Sequence, residues 1–186
     1  MPGRYTVKLT AGGKSYTEPL TVKMDPRVRT PLPGLQQQFT LSKELYDDIV
    51  KTSKALEQIR TMRAQLGPLR EKAGPGATAD AIAVLDQKVV ALGGAAGGGR
   101  GGGRGAVAAG PDTLSSVTGS LTQLMRLLES ADVAPATQAV AAAADRRAAL
   151  AKLIERWNAL KSRDLADLNT RLKQANLPAV TAEASP

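Results

Sequence analysis

The chain contains no cysteine and no histidine among its 186 residues. Without cysteine there are no disulfides, thiolate nucleophiles or thiolate metal ligands, and without histidine the commonest general base and metal ligand are missing. Any catalysis would have to rely on carboxylates, lysine, tyrosine, serine or threonine. We therefore predict a protein that is not an enzyme, with no catalytic residue, no cofactor and no metal.

Aromatic residues are also scarce, at 3% of the chain, although hydrophobic residues as a whole make up 42%. Alanine supplies many of the latter, so we expect a thin, aliphatic core. No window approaches the roughly eighteen apolar residues of a membrane-spanning helix, and the N-terminal MPGRYTVKLT lacks a signal-peptide pattern. The sequence predicts no membrane insertion and leaves the localisation and the oligomeric state open.

The segment RYTVKLTAGGKSYTEPLTVKM, residues 4–24, has the alternation of a β-hairpin. Apolar residues expected on the inner face are Tyr5, Val7, Leu9, Leu20, Val22 and Met24. AGGK supplies glycines for a tight turn, and Pro19 suggests an edge strand or a bulge because it has no N–H to donate. A two-stranded sheet is marginal alone. Either the helices cover the apolar face or, in the interpretation we favour, other strands complete the sheet.

Helical periodicity follows a Pro-rich connector at 30–34. The pattern predicts a first helix that ends before Gly67, a second over 78–92 capped by Thr78, a third capped by Asp112, and a last one over 136–175 with a break at 162–164. These form two helical hairpins, 35–92 and 112–177. Their apolar stripes can be buried only against each other, which favours an antiparallel four-helix bundle.

The segment between the two helical hairpins, 93–111, is glycine-rich and is predicted to be a flexible, disordered linker. Within it, Arg100 and Arg104 resemble an arginine-glycine box. Together with a net charge of +8 and a pI near 10.0, this makes RNA or another polyanion a candidate partner. The box has only two arginines and no aromatic residue, so we favour a solvated linker over nucleic-acid binding.

Three acidic residues of the first helix, Glu44, Asp47 and Asp48, are the best candidates for paired carboxylates. A glycosidase needs two carboxylates that flank a pocket, one of them with a raised pKa. Here the acids stand beside Lys43 and Lys51, a pattern typical of a solvated helix face. We favour that interpretation.

Large side chains offer a second candidate site. Phe39, Tyr46 and Trp157 could line a ligand cleft, but large side chains at helical spacing belong more often to the core. We therefore predict that these three residues are core residues.

The run PGRYTVKLTAGGKSYTEPLTVKMDPRVRTPLPGLQQQFTLSKELYD, residues 2–47, resembles the C-terminal region of bacterial sortilin-like or BNR-repeat (Asp-box) β-propeller proteins, which are described as glycosyl hydrolase-like. The later segments ALEQIR and RWNALKSRDLADLN resemble the helical tail of the same family. The resemblance implies that residues 1–29 are the end of an immunoglobulin-like sandwich and that the parent protein is extracytoplasmic or secreted. No S-x-D-x-G-x-x-W repeat occurs here, so the propeller is absent and no glycosidase residue is carried over.

The expected molecule is therefore mainly α-helical, with a β-hairpin, a four-helix bundle and a disordered tail over 178–186. Its expected role is that of a non-catalytic C-terminal structural or interaction module, with the upstream propeller and immunoglobulin-like domains of the parent protein as partners. One alternative is an independent adaptor that binds RNA or another polyanion through the basic Gly/Arg linker. Another is a fragment of a glycosyl hydrolase whose catalytic propeller is missing.

Overall fold

The computed structural model describes residues 2–94 and 111–183. It is mainly helical with a two-stranded N-terminal hairpin, which confirms the predicted fold class. The elements are β1 (Gly3–Ala11), β2 (Lys14–Val22), α1 (Leu32–Ala73), α2 (Ala77–Gly93), α3 (Leu114–Leu128), α4 (Thr137–Ala159), a π-helical turn (Leu160–Asp164) and α5 (Leu165–Gln174). None of the helices within the described ranges combines the length and the apolar character needed to cross a bilayer.

The hairpin has a regular register. β1 and β2 pair antiparallel, with Ala11 opposite Lys14 at the closed end. Gly12 and Gly13 form the two-residue turn with φ of 57° and 77°. Positive φ at both central residues is the type I′ geometry that matches the twist of the flanking strands. The AGGK segment therefore forms the tight turn that the sequence predicts.

α2 and α3 pack against successive halves of α1, and both run antiparallel to it. Gly93, at the end of α2, packs against the middle of α1, where a Cβ would come within 3.3 Å of Ile59. The end of α3 reaches the start of α1, where the Gln38 side-chain amide donates to the carbonyls of Leu128 and Ala131. α2 and α3 therefore lie end to end along one side of α1.

The last helical stretch, from α4 through α5, runs parallel to α1. Arg147 of α4 binds Glu44 in the first half of α1, and Trp157 lies beside Gln58 further along it. All four predicted helical stretches are present. The two long helical stretches lie parallel and in contact, and α2 and α3, in line with each other, pack against both.

The core is aliphatic apart from one tryptophan, as the composition predicts. The largest fully buried side chains are Trp157, Leu45, Met62, Leu66, Ile82, Leu114, Leu121, Leu172, Val89, Val117, Val180 and Thr52. They come from every helix and from the C-terminal segment. A single apolar core therefore joins the helices.

The predicted break at 162–164 is a π-helical turn inside a continuous helix. From Leu150 the buried residues recur at three- and four-residue spacing as far as Leu160, but the next one, Leu165, comes five residues later. A π turn adds one residue to a helical turn. It therefore keeps both leucines on the buried side of the helix.

α1 is longer than predicted at both ends. It begins at Leu32, within the predicted linker, where Gly34 lies so close to Ala134 that a Cβ would come within 2.9 Å of that side chain. At its far end it continues through Gly67 and Pro68 to Ala73, although an interior proline removes one helical hydrogen bond. The helix continues through Pro68 because Leu66 and Leu69, on either side of it, are buried in the core.

Both predicted helix caps were wrong. α2 begins after Gly76, and Thr78 lies within its first turn without capping it. α3 is capped by Thr113, whose hydroxyl accepts from the Ser116 backbone N–H at 3.1 Å in a capping box. Asp112 instead accepts from Arg146 of α4.

The tail was predicted to be disordered over 178–186, but its described part, residues 178–183, packs on the bundle. Val180 is buried, and its backbone N–H and carbonyl both bond to the Asn169 side chain, at 2.8 and 2.9 Å. Gln65 of α1 makes the same two-way contact with the Thr181 backbone, at 2.8 and 3.0 Å. The tail therefore ties α5 to α1.

Candidate interaction surface

The hairpin exposes one apolar face, which we call the hairpin face. The register places its six large side chains on the same side of the sheet. They are Tyr5, Val7, Leu9, Tyr16, Leu20 and Val22. Their exposed fractions range from 40% to 61%, so the helices do not cover them.

Two details of this face differ from the prediction. Tyr16 belongs to it because it stands directly opposite Leu9. Met24, expected on the same face, lies beyond the end of β2 and is half-buried at the base of the hairpin. The alternation in β1 was sufficient to predict its side of the face. The alternation in β2 also places Tyr16 in phase with Leu20 and Val22, although the prediction did not include it.

The opposite side of the hairpin is polar and carries positive charge. β1 contributes Arg4, Thr6, Lys8 and Thr10 to this side, and β2 contributes Ser15, Thr17, Pro19 and Thr21. No acidic side chain lies among these eight residues. The hairpin therefore has one mainly apolar side, on which Glu18 stands opposite Val7, and one basic, hydroxyl-rich side. This pattern is typical of a sheet that buries one face and leaves the other in water.

A cleft of about 500 Å³ lies where the hairpin meets the bundle. Val22 and Met24 line it from the hairpin, and Leu35 and Phe39 line it from α1. The Ser42 hydroxyl at this cleft is buried and has no hydrogen-bond partner among the described residues. Since Val22 belongs also to the hairpin face, the apolar surface continues from the hairpin into the cleft.

The rim of this cleft is acidic. Asp25, Glu129 and Asp132 surround it together with Lys23. Asp25 is already paired, because the Arg27 guanidinium donates to both of its oxygens, at 3.1 and 2.7 Å, and this hydrogen bonding lowers the pKa of Asp25. The pair closes the turn that leads from β2 towards α1.

Exposed apolar residues also continue along α1. Phe39, Tyr46 and Val50 lie seven and four residues apart, which places them on one side of the helix, and each is about half exposed. We call this set the α1 stripe. It joins the cleft through Phe39, so the hairpin face, the cleft and the α1 stripe are contiguous.

The prediction that the three large side chains belong to the core was right for one of them. Trp157 is 1% exposed, and its indole N–H donates to the Gln58 side-chain oxygen at 3.1 Å. Lys161 lies over its ring, 5.3 Å from the centroid. Phe39 and Tyr46 are on the surface instead, so for them the prediction was wrong.

The candidate carboxylates are bound to one arginine. Arg147 of α4 donates to Glu44 at 2.6 Å and to Asp48 at 2.7 Å, and the hydrogen bond with Asp48 is the main cause of the raised pKa of this guanidinium. Asp48 is only 20% exposed, so the solvated-face prediction was wrong for this acid. Asp47 does lie in solvent, paired with Lys43. Glu44 and Asp48 therefore fasten α1 to α4.

This arrangement does not resemble a glycosidase site. Both acids accept from the same guanidinium, whereas glycosidase carboxylates face each other across a substrate pocket. Within residues 2–94 and 111–183, no cluster of three or more acidic side chains could hold a metal ion.

Arg100 and Arg104 lie outside the described residues, so their contact with a polyanion stays a prediction. The described residues on either side of the Gly-rich segment do meet. Ser115 donates to the Gly93 carbonyl at 2.6 Å, and a Cβ at Gly94 would come within 2.8 Å of the Thr113 hydroxyl oxygen. Residues 95–110 therefore connect two neighbouring points of the bundle.

Comparisons with protein families, curated proteins and solved structures found no match for this chain. The resemblance to sortilin-like and BNR-repeat proteins therefore stays a prediction.

Proposed function

We propose that this chain is a non-catalytic structural or interaction module whose hairpin completes a β-sandwich with strands from an upstream, immunoglobulin-like part of a larger sortilin-like or BNR-repeat protein. The observation that carries the proposal is the exposed hairpin face. Six large apolar side chains stand on one side of a two-stranded sheet, and the protein's own helices leave them in water.

Covering the hairpin face with a second sheet would stabilise the hairpin. Burying a large apolar side chain contributes roughly 1.5–3 kcal/mol, and two strands alone are marginal in water. Contiguous apolar surface on a soluble protein marks an interaction site. Here that surface also extends into the cleft and along the α1 stripe. A second sheet that stacks on the hairpin face would therefore also reach the bundle.

The bundle supports this role as a scaffold. Ion pairs such as Arg147 with Glu44 join its helices, and the C-terminal tail ties α5 to α1. The hairpin is connected to α1 by the segment that contains the Asp25–Arg27 pair. The bundle thus forms its core without the hairpin, which stays available for partner strands.

The test is a longer chain that includes the reading frame upstream of Met1 in the source DNA. In that chain we expect Val7→Lys with Leu20→Lys to lower the free energy of unfolding by several kcal/mol, because both lysines would enter a buried sheet face. The matched control, Thr6→Lys with Thr21→Lys on the polar side, should change it little. In the present chain both pairs should be nearly neutral. Equal effects of the two pairs in the longer chain, or an upstream frame without strand-forming sequence, would refute the proposal.

The adaptor alternative predicts a different result. An affinity for single-stranded RNA that falls steeply between low and physiological salt, and falls further with Arg100→Ala and Arg104→Ala, would favour an adaptor. Salt-insensitive behaviour without RNA affinity is the outcome expected of a structural module.

A further inference from the structure

We infer that the outer edge of β1, not that of β2, takes the next strand, and that this strand alternates apolar side chains with acidic or hydroxyl ones. The inference rests on the proposed function because it specifies how the hairpin is completed. It follows from the register of the hairpin and from the charges on its polar side.

The direction of each backbone group follows from the turn. In a two-residue hairpin the closing residues, here Ala11 and Lys14, exchange hydrogen bonds with each other, and such pairs alternate with non-bonded pairs along the ladder. The non-bonded pairs therefore direct their N–H and carbonyl groups away from the partner strand. In this register they are Arg4 with Thr21, Thr6 with Pro19, Lys8 with Thr17, and Thr10 with Ser15.

The two outer edges differ at their centre. β1 presents a full row of outward N–H groups at Arg4, Thr6, Lys8 and Thr10. In the corresponding row of β2 the middle position is Pro19, which has no N–H. A strand added to β2 would lose a central ladder bond, and proline in a sheet is found at edges that face solvent. β1 is therefore the edge able to form a continuous ladder.

The side chains of β1 define the chemistry of the added strand. On the polar side Arg4 and Lys8 have no acid among the eight side chains of that face, and an opposite charge directly across a ladder contributes roughly 0.2–1 kcal/mol. On the other side Tyr5, Val7 and Leu9 need apolar neighbours. Because side chains alternate with a period of two, an added strand satisfies both sides only if it alternates acidic or hydroxyl residues with apolar ones.

A second copy of this chain fits less well. Pairing of two β1 strands about a two-fold axis at Val7 would bring together two molecules that each carry a net charge of +8. The charge on the polar side therefore favours an acidic segment.

The experiment uses the present chain and an acetylated, amidated nine-residue peptide that alternates valine with glutamate and threonine. Backbone amide exchange is followed by NMR at peptide concentrations up to millimolar. We expect exchange at Arg4, Thr6, Lys8 and Thr10 to slow at least tenfold, with little change at Ser15, Thr17 and Thr21.

Two matched variants test the edge. Thr6→Pro removes an outward N–H from the middle of β1 without removing a β1–β2 bond, and Thr17→Pro makes the equivalent change in β2. We expect Thr6→Pro to abolish the protection and Thr17→Pro to retain it. A peptide with lysine in place of glutamate should bind at least tenfold more weakly.

Other outcomes would overturn the inference. The inference would be wrong if exchange slowed along β2, if it slowed at neither edge, or if the lysine peptide bound as well as the glutamate peptide. It would also be wrong if protection rose with protein concentration in the absence of peptide, because that would indicate pairing with a second copy. None of these outcomes tests the proposed function. That function is tested separately in the longer chain, by comparing Val7→Lys with Leu20→Lys against Thr6→Lys with Thr21→Lys.

Discussion

Removal of the Gly-rich segment tests the end-to-end placement of α2 and α3. We consider a variant in which the sixteen residues 95–110 are replaced by Gly-Ser-Gly-Ser. Gly94 and Thr113 are in contact, so four residues together with Pro111 and Asp112 are long enough to connect them. The replacement should therefore leave the bundle intact.

The expected effect is stabilisation. The entropic cost of closing a flexible loop falls by about 0.6 kcal/mol with each halving of its length, so a change from sixteen to four residues should recover about 1.2 kcal/mol. For a protein of this size that corresponds to an increase in Tm of about 3 °C. A same-length control, Arg100→Ser with Arg104→Ser, should leave the free energy of unfolding unchanged.

The assay is urea denaturation followed by fluorescence. Trp157 is the only tryptophan and is buried, so its emission reports on the core that all the helices share. Circular dichroism at 222 nm gives an independent measure of helix content. A loss of more than about 1 kcal/mol, or a loss of helix signal, would show that the ends of α2 and α3 do not meet as described or that residues 95–110 make stabilising contacts.

Three further predictions concern the bundle, each measured by urea denaturation. Arg147→Met should lower the free energy of unfolding by about 1 kcal/mol, because two partly buried carboxylates lose their shared cation. Insertion of an alanine after Ser162 should lengthen the step from Leu160 to the next buried leucine to six residues, one more than the π turn accommodates. It should rotate the following residues by about 100°, which carries the buried leucines of α5 out of the core and costs more than about 4 kcal/mol. Val180→Ala should cost about 2 kcal/mol because the side chain is 1% exposed.

Each of these variants has a matched control that should change the free energy of unfolding little. Lys43→Met breaks only the exposed pair with Asp47, Ser162→Ala keeps the helix length, and Pro178→Ala alters an exposed position. We expect all three controls to stay within about 0.5 kcal/mol of the parent protein. A variant that loses no more stability than its control would contradict the structural role given to that residue.

The acidic residues of α1 show where sequence reasoning was insufficient. The spacing of Glu44, Asp47 and Asp48 indicates one helical turn, but it does not say which of them meets another helix. Arg147 lies about a hundred positions further along the chain, and only the parallel packing of α1 with α4 brings it to Glu44 and Asp48. No local pattern marks such a pair.

The large side chains of α1 are a second case in which local sequence did not predict burial. Helical spacing predicted that Phe39 and Tyr46 would be buried, but they lie on the side of α1 that no other helix covers. The tail over 178–186 was predicted to be disordered, but its described residues are ordered. Its order comes from side chains at 65 and 169 that bond to its backbone.

The sequence by itself determined the local elements. Alternation and the Gly-Gly turn specify the hairpin, and three- and four-residue spacing specifies the helices, whereas the predicted break at 162–164 is a π turn in the structure. These are short-range effects of backbone geometry and side-chain periodicity. Tertiary structure decided that α2 and α3 share one side of α1, that an arginine joins two acids across helices, and that the hairpin face stays exposed. Those outcomes depend on which surfaces meet, and residues far apart in the chain decide that together.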